Sequence, residues 1–455
     1  MPVWGKEPEQ YTAWVSQKLK EIATEIFLRA LEDCSIERAF SRVVKVELRG
    51  GVSWLLVDGQ DVAALDEVKQ VRVLAVGKAA APMLKALLRT VDFAGCEVRG
   101  VLIAPGPPEN LPEGFEFFAG GHPTPNEASF AGARAALELM RGAAHEPKGA
   151  LCVFLVSGGG SSMMELPLDV ETSLDDTVGF HRALVASGAS IVEMNCVRKH
   201  FSAVKGGRLA MAAGSARKVS LFISDVPPGR LDALASGPTI PDPTTSDECR
   251  EIIRRHGMES RLPASVRKFF AGEIAETPKR GELESSAHVL LSSVELCEAA
   301  KARAEALGFE VAIDNTCDDW PYEKAADYLL ERLRELRRRV GRRVCVISCG
   351  EVTVTLPAEL KENARGGRNQ QWALHVATRF EAGDAPIAAL SGGSDGVDGN
   401  SPAAGAVVDE ATADADSAAA MGAFSAYDYL RTRGAVLVTG PTGQNLRDLR
   451  IFLAD

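Results

Sequence analysis

The sequence lacks any long apolar run and carries an excess of acidic charge. Lys, Arg, Asp or Glu interrupts every stretch that could cross a bilayer, and the opening segment has no uninterrupted apolar core of the signal-peptide type. The formal net charge of −11 at pH 7 repels nucleic acid and anionic membrane surfaces. We therefore expect no membrane partner and no nucleic-acid partner.

Paired cysteines and regularly spaced histidines are also absent. The nine cysteines form no C-x-x-C pair, and the seven histidines show no H-x-x-x-H spacing. These patterns argue against a disulfide framework and against a zinc site. Most cysteines lie within apolar runs such as LCVFLVS, where a free thiol packs as a small hydrophobic group. We expect reduced, structural thiols and a cytoplasmic location.

What the chain does contain is an alternation of short apolar runs and longer helical patterns. Several runs are apolar at every position, which is typical of strands covered on both faces. The predicted strands are 71–76, 98–104, 151–156, 219–224, 288–292, 309–313, 344–349, 387–390 and 436–438, and the predicted helices include 128–140, 177–193, 294–306 and 322–339. This order predicts an α/β protein with mostly parallel sheets, whose ligands bind at the carboxyl ends of strands.

A polar, proline- and glycine-containing stretch at residues 257–287 suggests a domain boundary. We therefore predict an N-terminal α/β domain over residues 1–270 and a C-terminal α/β domain over residues 285–455. The strand near 436–439 is compatible with either domain. No internal repeat of 20–50 residues is present.

The loop after the strand at 151–156 is rich in glycine and serine. Its residues are Ser157, Gly158, Gly159, Gly160, Ser161 and Ser162. Glycines let backbone N–H groups approach a ligand closely, so this loop is a candidate phosphate cradle, with an ordinary tight turn as the alternative. Met163 stands where a G-x-G-x-x-G fingerprint needs its third glycine, and no G-K-[ST] follows. Neither a dinucleotide fingerprint nor a Walker A loop is present.

Two further strand ends carry charged residues. Lys78 follows the strand at 71–76 among small residues, which leaves room for a phosphate beside its ammonium group. Asp225 follows the strand at 219–224, where a carboxylate can bind Mg²⁺ or accept a hydroxyl proton. A surface lysine and a turn-capping aspartate are the alternatives for these two positions.

Cations are also concentrated between Asn195 and Arg208. Arg198 and Lys205 are candidates for binding a carboxylate or phosphates. In the C-terminal half, Arg368 opens a helix in the sequence GGRNQQ, which suits bidentate recognition of an anion. Asp395 and Asp398 lie in a glycine-rich strand end that could hold a hydrated cation.

Together these loops resemble the class II glycerate kinases, the glycerate 2-kinase family with a MOFRL-type C-terminal domain. The matching stretches are VGKAAAPM at 76–83, GGHPTPNEAS at 120–129, FLVSGGGSSMMELP at 154–167, NCVRKHFSAVKGGRLA at 195–210, ISDVPPGRLDALASGPTIPDPTT at 223–245, SCGEVTVTL at 348–356, GGRNQQWAL at 366–374, LSGGSDGVDGNSPAAGAVVD at 390–409 and TGPTGQNLRDL at 439–449.

The resemblance implies ATP- and Mg²⁺-dependent phosphorylation of D-glycerate to 2-phosphoglycerate. It also implies two α/β domains, the first Rossmann-like in architecture, with the active site in the cleft between them. The family's proposed catalytic pair, the lysine of V-G-K and the arginine of G-G-R-N, falls on Lys78 and Arg368. The C-terminal motifs add Glu351, Asn369 and Asn445 as candidate substrate or phosphate contacts.

Two other functions stay open at this stage. Some relatives bear the name hydroxypyruvate reductase, an NAD(P)-dependent oxidoreductase, but the missing dinucleotide fingerprint argues against that activity. A non-catalytic sugar-acid binding protein is the second alternative. We expect glycerate and ATP as small-molecule partners, in a monomer or a homodimer.

Overall fold

The computed structural model describes residues 8–341, 343–357 and 364–455. The chain divides into two compact units, which are described separately. The central unit is Ile36–Leu290, and the terminal unit combines the residues up to Ser35 with Leu291–Asp455.

In chain order, the helices are α1 (Pro8–Asp33), α2 (Ile36–Val43), α3 (Ala80–Thr90), α4 (Glu127–His145), α5 (Gly160–Met163), α6 (Leu174–Val185), α7 (Ile191–Phe201), α8 (Arg208–Met211), α9 (Ser246–Arg255), α10 (Ala264–Ala271), α11 (Ser293–Ala306), α12 (Tyr322–Val340), α13 (Arg368–Arg379), α14 (Ser417–Gly422) and α15 (Ala426–Thr432). The strands are β1 (Val44–Arg49), β2 (Val52–Val57), β3 (Gln60–Ala64), β4 (Gln70–Val76), β5 (Glu97–Ala104), β6 (Phe115–Ala119), β7 (Ala150–Ser157), β8 (Arg217–Ile223), β9 (Ser286–Leu291), β10 (Glu310–Ile313), β11 (Val344–Gly350), β12 (Ile387–Gly393), β13 (Gly405–Asp409), β14 (Val436–Leu437) and β15 (Asp448–Ala454). None of these helices is both long and apolar enough to cross a bilayer, within the residues that the structure describes.

The main sheet of the central unit has the strand order β6-β5-β4-β7-β8-β9. The strands from β6 to β8 pair in parallel. This is the Rossmann order, in which the chain starts in the middle, winds to one edge and then returns to wind toward the other. Every residue of β4 and β7 is buried. Their apolar stretches, at residues 73–76 and 150–156, follow from coverage on both faces.

The terminal unit contains a second sheet with the order β10-β11-β15-β12-β13-β14. Only β10 and β11 pair in parallel among its described strands, whereas β15 runs antiparallel to both β11 and β12. The expectation of a mostly parallel sheet is therefore wrong for this unit. The physical reason is that β15 enters between β11 and β12 after the irregular segment 438–447, without the helical crossover that a parallel connection requires.

The N-terminal helix α1 belongs to the terminal unit, where it packs against α11, β12, β13 and β15. Leu19, Ala23, Ile26, Phe27 and Ala30 are buried, and their spacing marks one face of a helix. This differs from the predicted N-terminal domain of residues 1–270, because the first helix joins strands more than 350 residues later in the sequence.

Other boundaries also differ from the sequence-based expectation. The stretch at 257–287 lies inside the central unit, where α10 packs on α6. The strand near 436–439 pairs with β13, so it belongs to the terminal sheet and does not return to the first domain. The helix predicted over 177–193 is two helices, because the chain turns at Gly188, where φ is +77°. The α/β class itself and the Rossmann-like architecture of the first sheet are confirmed.

Candidate active site

The central sheet brings two loops together where its strand order reverses, between β4 and β7. Ligands of open α/β sheets bind at such a point, beyond the carboxyl ends of the strands. Gly77 has a φ of +115°, and a Cβ atom there would lie 2.4 Å from the Ser157 carbonyl oxygen. The backbone N–H of Lys78 donates to the Gly158 carbonyl oxygen at 2.9 Å. The two loops therefore hold each other and fix the base of the Lys78 side chain.

The Lys78 side chain is exposed. Within residues 8–341, 343–357 and 364–455 it has no carboxylate partner. An ammonium group in this position is available to a phosphate or a carboxylate of a ligand.

Two consecutive glycines after β7 allow side chains from three other loops to converge. A Cβ atom on Gly158 would lie 1.9 Å from Asp225 Oδ2. A Cβ atom on Gly159 would lie 3.2 Å from Lys78 Cγ and 3.2 Å from His122 Cδ2. The aliphatic part of Lys78, the Asp225 carboxylate and the His122 imidazole thus approach one short stretch of backbone, and any larger residue there would push them away.

The serines of the predicted phosphate cradle divide into two groups. Ser157 Oγ accepts from the Ala79 N–H at 3.0 Å, and Ser162 Oγ donates to the Gly159 carbonyl oxygen at 3.4 Å. Both serines are buried and support the loops themselves. Ser161 Oγ lies at the partly exposed side, 2.8 Å from Ser236 Oγ.

A strained turn extends this polar chain toward Arg198. Ala235 and Ser236 adopt φ values of +50° and +59°. Such left-handed positions cost about 1–3 kcal/mol each for residues other than glycine, and they concentrate at ligand sites. Ser236 Oγ donates to Asn195 Oδ1 at 3.2 Å, and Arg198 Nη1 donates to the same oxygen at 3.3 Å. The strained backbone therefore places a serine between the β7 loop and Arg198.

Arg198 itself is a partly desolvated cation. Its buried Nε has no hydrogen-bond partner among the described residues. Burial lowers the pKa of its guanidinium, whereas the charge of Glu165 raises it. A partly exposed guanidinium that shares the Asn195 oxygen with Ser236 is suited to a small carboxylate ligand.

Lys205 has a different environment from the one predicted. Its ammonium is fully buried and pairs with Glu165 at 2.6 Å, and Glu165 also contacts His181 at 3.0 Å. Burial alone would raise the pKa of Glu165. The charge and hydrogen bond of Lys205, together with the contact to His181, instead lower this pKa to about 2. This placement does not support direct ligand binding by Lys205. The buried pair instead joins the segment after α5 to the segment after α7.

We expect the Lys205–Glu165 pair to matter for stability. Lys205→Met leaves a buried carboxylate without its charge partner, and such changes cost about 3–5 kcal/mol of unfolding free energy. Urea denaturation followed by circular dichroism measures the effect. Lys18→Met is the control, because Lys18 also lies 2.6 Å from a glutamate, Glu21, but at the exposed surface. Equal effects of the two substitutions would contradict the structural role given to Lys205.

The terminal unit contains a second charged cluster, at the carboxyl end of β11 and the start of α13. Arg368 Nε and Nη2 lie 2.6 and 3.1 Å from the two carboxylate oxygens of Asp448. Arg368 Nη1 lies 2.9 Å from Glu351 Oε2. Burial raises the pKa of Glu351, while Arg368 lowers it. Arg368 is therefore held rigidly by two carboxylates, unlike Lys78.

A cavity of about 760 Å³ opens beside Arg368 within the terminal unit. Its wall combines polar groups with the apolar side chains Val352, Val354, Val397 and Phe424. The Arg368 side chain is 36% exposed, so its guanidinium is accessible despite its partners.

Asp398 and Asn369 lie beneath this surface. Asp398 is buried, and its two oxygens accept from the backbone N–H groups of Asn369 and Gln370 at 3.1 and 2.9 Å. These bonds cap α13, and they require Gly367, whose Cβ would lie 2.2 Å from Asp398 Oδ1. Burial raises the pKa of Asp398 to about 7, against these hydrogen bonds. Asn369 in turn accepts from Ser391 Oγ, so both residues support the fold of the site.

The predicted metal ligands belong to different units. Asp225 is in the central unit, whereas Asp395 and Asp398 are in the terminal unit. Asp395 Oδ1 accepts from the Val397 N–H at 3.1 Å, as in a turn cap. No group of three or more His, Cys, Asp or Glu side chains in the described ranges could hold a metal ion by itself. A metal here would need further oxygen ligands, from water or from a bound substrate.

Sequence reasoning missed several residues of both clusters. In the central unit these are His122, Glu165 and Ser236. In the terminal unit they are Asp448 and the ion pair Arg447–Asp318, whose two hydrogen bonds measure 2.6 and 2.7 Å. Asn445 Oδ1 accepts from the Arg447 N–H at 3.0 Å and so supports this pair. Most of these residues lie inside the matched motifs, but their partners are distant in sequence.

The fold and the loops define an α/β protein with a candidate ligand site at the reversal point of a Rossmann-like sheet. Residues 22–271 match the family model described as a domain of unknown function, DUF4147, and residues 344–448 match the MOFRL family. The chain is 35% identical to the D-glycerate 2-kinase of Thermotoga maritima over 96% of this chain and 99% of that protein. It is also 36% identical to a putative hydroxypyruvate reductase of Agrobacterium vitis, over 84% of this chain and 86% of that protein.

A solved structure also resembles this chain over nearly its whole length. A crystal structure of glycerate kinase from Thermotoga maritima superposes with a TM-score of 0.80 at 33% identity, over 96% of this chain and all of that chain. The chain therefore belongs to the MOFRL-type glycerate 2-kinase family.

Proposed function

We propose that this protein transfers the γ-phosphoryl group of ATP to the 2-hydroxyl of D-glycerate and forms 2-phosphoglycerate. The observation that carries the proposal is the convergence of Lys78 and Asp225 on Gly158 and Gly159 at the sheet's reversal point. Phosphoryl transfer needs positioning and charge neutralisation more than covalent chemistry, and these groups supply both. The names of the full-length relatives agree with this activity.

Each residue has a proposed role that follows from its surroundings. Lys78, which has no carboxylate partner in the described chain, neutralises charge on the transferring phosphoryl group. The backbone of Gly158–Gly160 and the Ser161 hydroxyl contact phosphate or substrate oxygens. Arg198, whose side chain is partly exposed, binds the glycerate carboxylate through its guanidinium group. Lys205 acts indirectly, because its pair with Glu165 holds the segment after α7 in place.

We also propose that Arg368 acts in phosphoryl transfer. Glu351 and Asp448 orient its planar guanidinium, and the adjacent cavity leaves it accessible. The expectation that the reaction takes place in a cleft between the two halves of the chain stays a prediction. So do the cytoplasmic location, for which the nine free cysteines are the supporting feature, and the state of monomer or homodimer.

The test of the function compares two reactions of the purified protein. We expect ADP formation that depends on D-glycerate when ATP is supplied, measured with a coupled assay. We expect no change in nicotinamide absorbance when hydroxypyruvate is supplied with NADH or NADPH. Turnover of the nicotinamide alone would show an oxidoreductase, and binding of glycerate without either turnover would show a binding protein.

We expect turnover to require a divalent cation. Asp225 is a hard oxygen ligand at a strand end, and Mg²⁺ commonly binds one or two carboxylates together with substrate phosphates. Bound Mg²⁺ would supply charge neutralisation at the nucleotide phosphates. Activity should disappear in EDTA and return with Mg²⁺ or Mn²⁺, as measured by ADP release. Full activity of dialysed protein in chelator would contradict this prediction.

A further inference from the structure

The loop between β6 and α4 reaches the reversal point of the central sheet, although β6 is the edge strand. Gly120 allows this approach, because a Cβ atom there would lie 2.6 Å from the Met163 carbonyl oxygen. The helix α4 begins with a capping box, in which the Asn126 side chain accepts from the Ser129 N–H at 2.9 Å. The loop is therefore held at both ends, against α5 and by the cap of α4.

His122 is the residue that this loop delivers to the site. Its ring carbon Cδ2 would lie 3.2 Å from a Cβ on Gly159, at the same distance as Lys78 Cγ. The side chain is exposed. Neither ring nitrogen has a hydrogen-bond partner within the described ranges of the chain. The imidazole is thus free to contact a ligand that also contacts Lys78.

The other histidines of the central site are occupied or enclosed. His181 contacts Glu165, and His200 is fully buried, with Nδ1 2.9 Å from the Cys196 carbonyl oxygen. Their positions follow from packing and ion pairing. His122 has no comparable structural task in the described chain.

Phosphoryl transfer to an alcohol releases the hydroxyl proton, and this proton needs an acceptor. We propose that His122 accepts the proton of the substrate hydroxyl during phosphoryl transfer, an inference that rests on the proposed function. The hydroxyl oxygen forms a bond to the γ-phosphorus, the bond from that phosphorus to the β,γ-bridging oxygen breaks, and the leaving ADP takes that electron pair. The hydroxyl proton moves to a ring nitrogen of His122, which later releases it to water.

The charges around His122 favour this role. Burial and the positive charge of Lys78 both lower the pKa of the imidazole below its usual value of 6.5. Lys78 comes from the loop after β4, and Asp225, from the loop after β8, approaches the adjacent Gly158. The imidazole is therefore neutral near pH 7 and has a lone pair available. Asp225 can then bind Mg²⁺ or orient the substrate hydroxyl.

The test uses the full-length protein with Mg-ATP and D-glycerate. His122→Gln should lower kcat at pH 7.5 by about 100-fold or more, the usual range for a lost general base. The affinity for Mg-ATP, measured by calorimetry, should change less than threefold. His145→Gln is the control, because His145 is exposed at the end of α4 and outside the site.

The pH profile separates proton transfer from a structural role. The wild-type kcat/KM should fall tenfold per pH unit below a pKa that lies under 6.5, and this acid limb should be absent in His122→Gln. The same pKa should appear in a ¹H–¹³C NMR titration of the His122 resonance, assigned by its loss in the variant. A variant within threefold of the wild-type kcat, or a kinetic pKa that differs from the NMR value, would overturn the proposal.

These experiments distinguish failure of the proposed function from failure of the role proposed for His122. Absence of wild-type turnover with ATP and glycerate would refute the proposed function. Wild-type turnover without an acid limb near the His122 pKa would refute only the role of His122, and this result does not depend on whether the variant folds.

Discussion

Lys78→Ala should lower kcat by about 10²–10³-fold, because it removes a charge that stabilises the transferring phosphoryl group. The structural basis is specific to this position. Lys78 is exposed at the reversal point of the central sheet, and it has no carboxylate partner in the described chain. Its loop is held by backbone contacts that do not involve the ammonium group, so the variant should stay folded. Steady-state kinetics and a thermal melt measure the two effects.

Lys85→Ala is the matched control for this substitution. Lys85 lies on α3, the helix that follows the Lys78 loop, and its only described ion pair is a 4.0 Å contact with Glu109 at the surface. It should retain nearly full activity. A folded Lys78→Ala variant with near-normal kcat would remove Lys78 from the catalytic machinery.

Arg368→Ala should lower kcat to a similar extent while ATP binding changes much less. The reason is that Arg368 is fixed before ligands arrive, by Asp448 and Glu351. A preorganised guanidinium contributes most where negative charge develops, which is in the transition state. Its removal also leaves two carboxylates without their partner. Kinetic titration of glycerate and calorimetric titration of ATP separate the two effects.

The appropriate control for Arg368 is Arg365→Ala. Arg365 is a neighbouring arginine whose guanidinium lies over the Tyr427 ring and 3.9 Å from Asp428. It should have little effect on kcat. If Arg368→Ala weakens ATP binding while kcat survives, Arg368 is a ground-state contact for the nucleotide and has no special role in transfer.

The sequence was sufficient to predict that three candidate site residues of the central unit lie at one edge of its sheet. Lys78, Gly158 and Asp225 each follow a strand that ends in apolar residues, and in a parallel sheet the carboxyl ends of strands share one edge. That rule does not depend on strand order. The order itself, which makes β4 and β7 neighbours, was not available from the pattern of single strands.

Residues with distant partners were the ones that sequence reasoning misread. Lys205 has the appearance of a ligand-binding cation, but Glu165 lies 40 positions earlier and neutralises it in the core. Asp398 has the appearance of a metal ligand, but it caps α13. A single sequence shows the residue type at a position and leaves open which side chain will face it after folding.

The sequence-based strands omitted β1–β3, β6, β13 and β15. Of these, β1–β3 and β15 were missed for related reasons. Gly51 and Gly59, with φ values of +88° and +71°, mark the turns of the small antiparallel sheet, but its strands are only partly buried. The strand β15 begins with the polar sequence Asp448-Leu449-Arg450, because Asp448 holds Arg368. A strand whose side chains serve a charged cluster does not have the continuous apolar pattern of its neighbours.

The most direct test of the central claim is the identity of the phosphorylated product. Purified protein is incubated with ATP, Mg²⁺ and D-glycerate, and the reaction is followed by phosphorus NMR. Our account predicts that the resonance of 2-phosphoglycerate grows as the γ-phosphate signal of ATP declines. A product that is 3-phosphoglycerate alone would contradict transfer to the 2-hydroxyl, and the absence of any phosphoglycerate would contradict the kinase assignment itself.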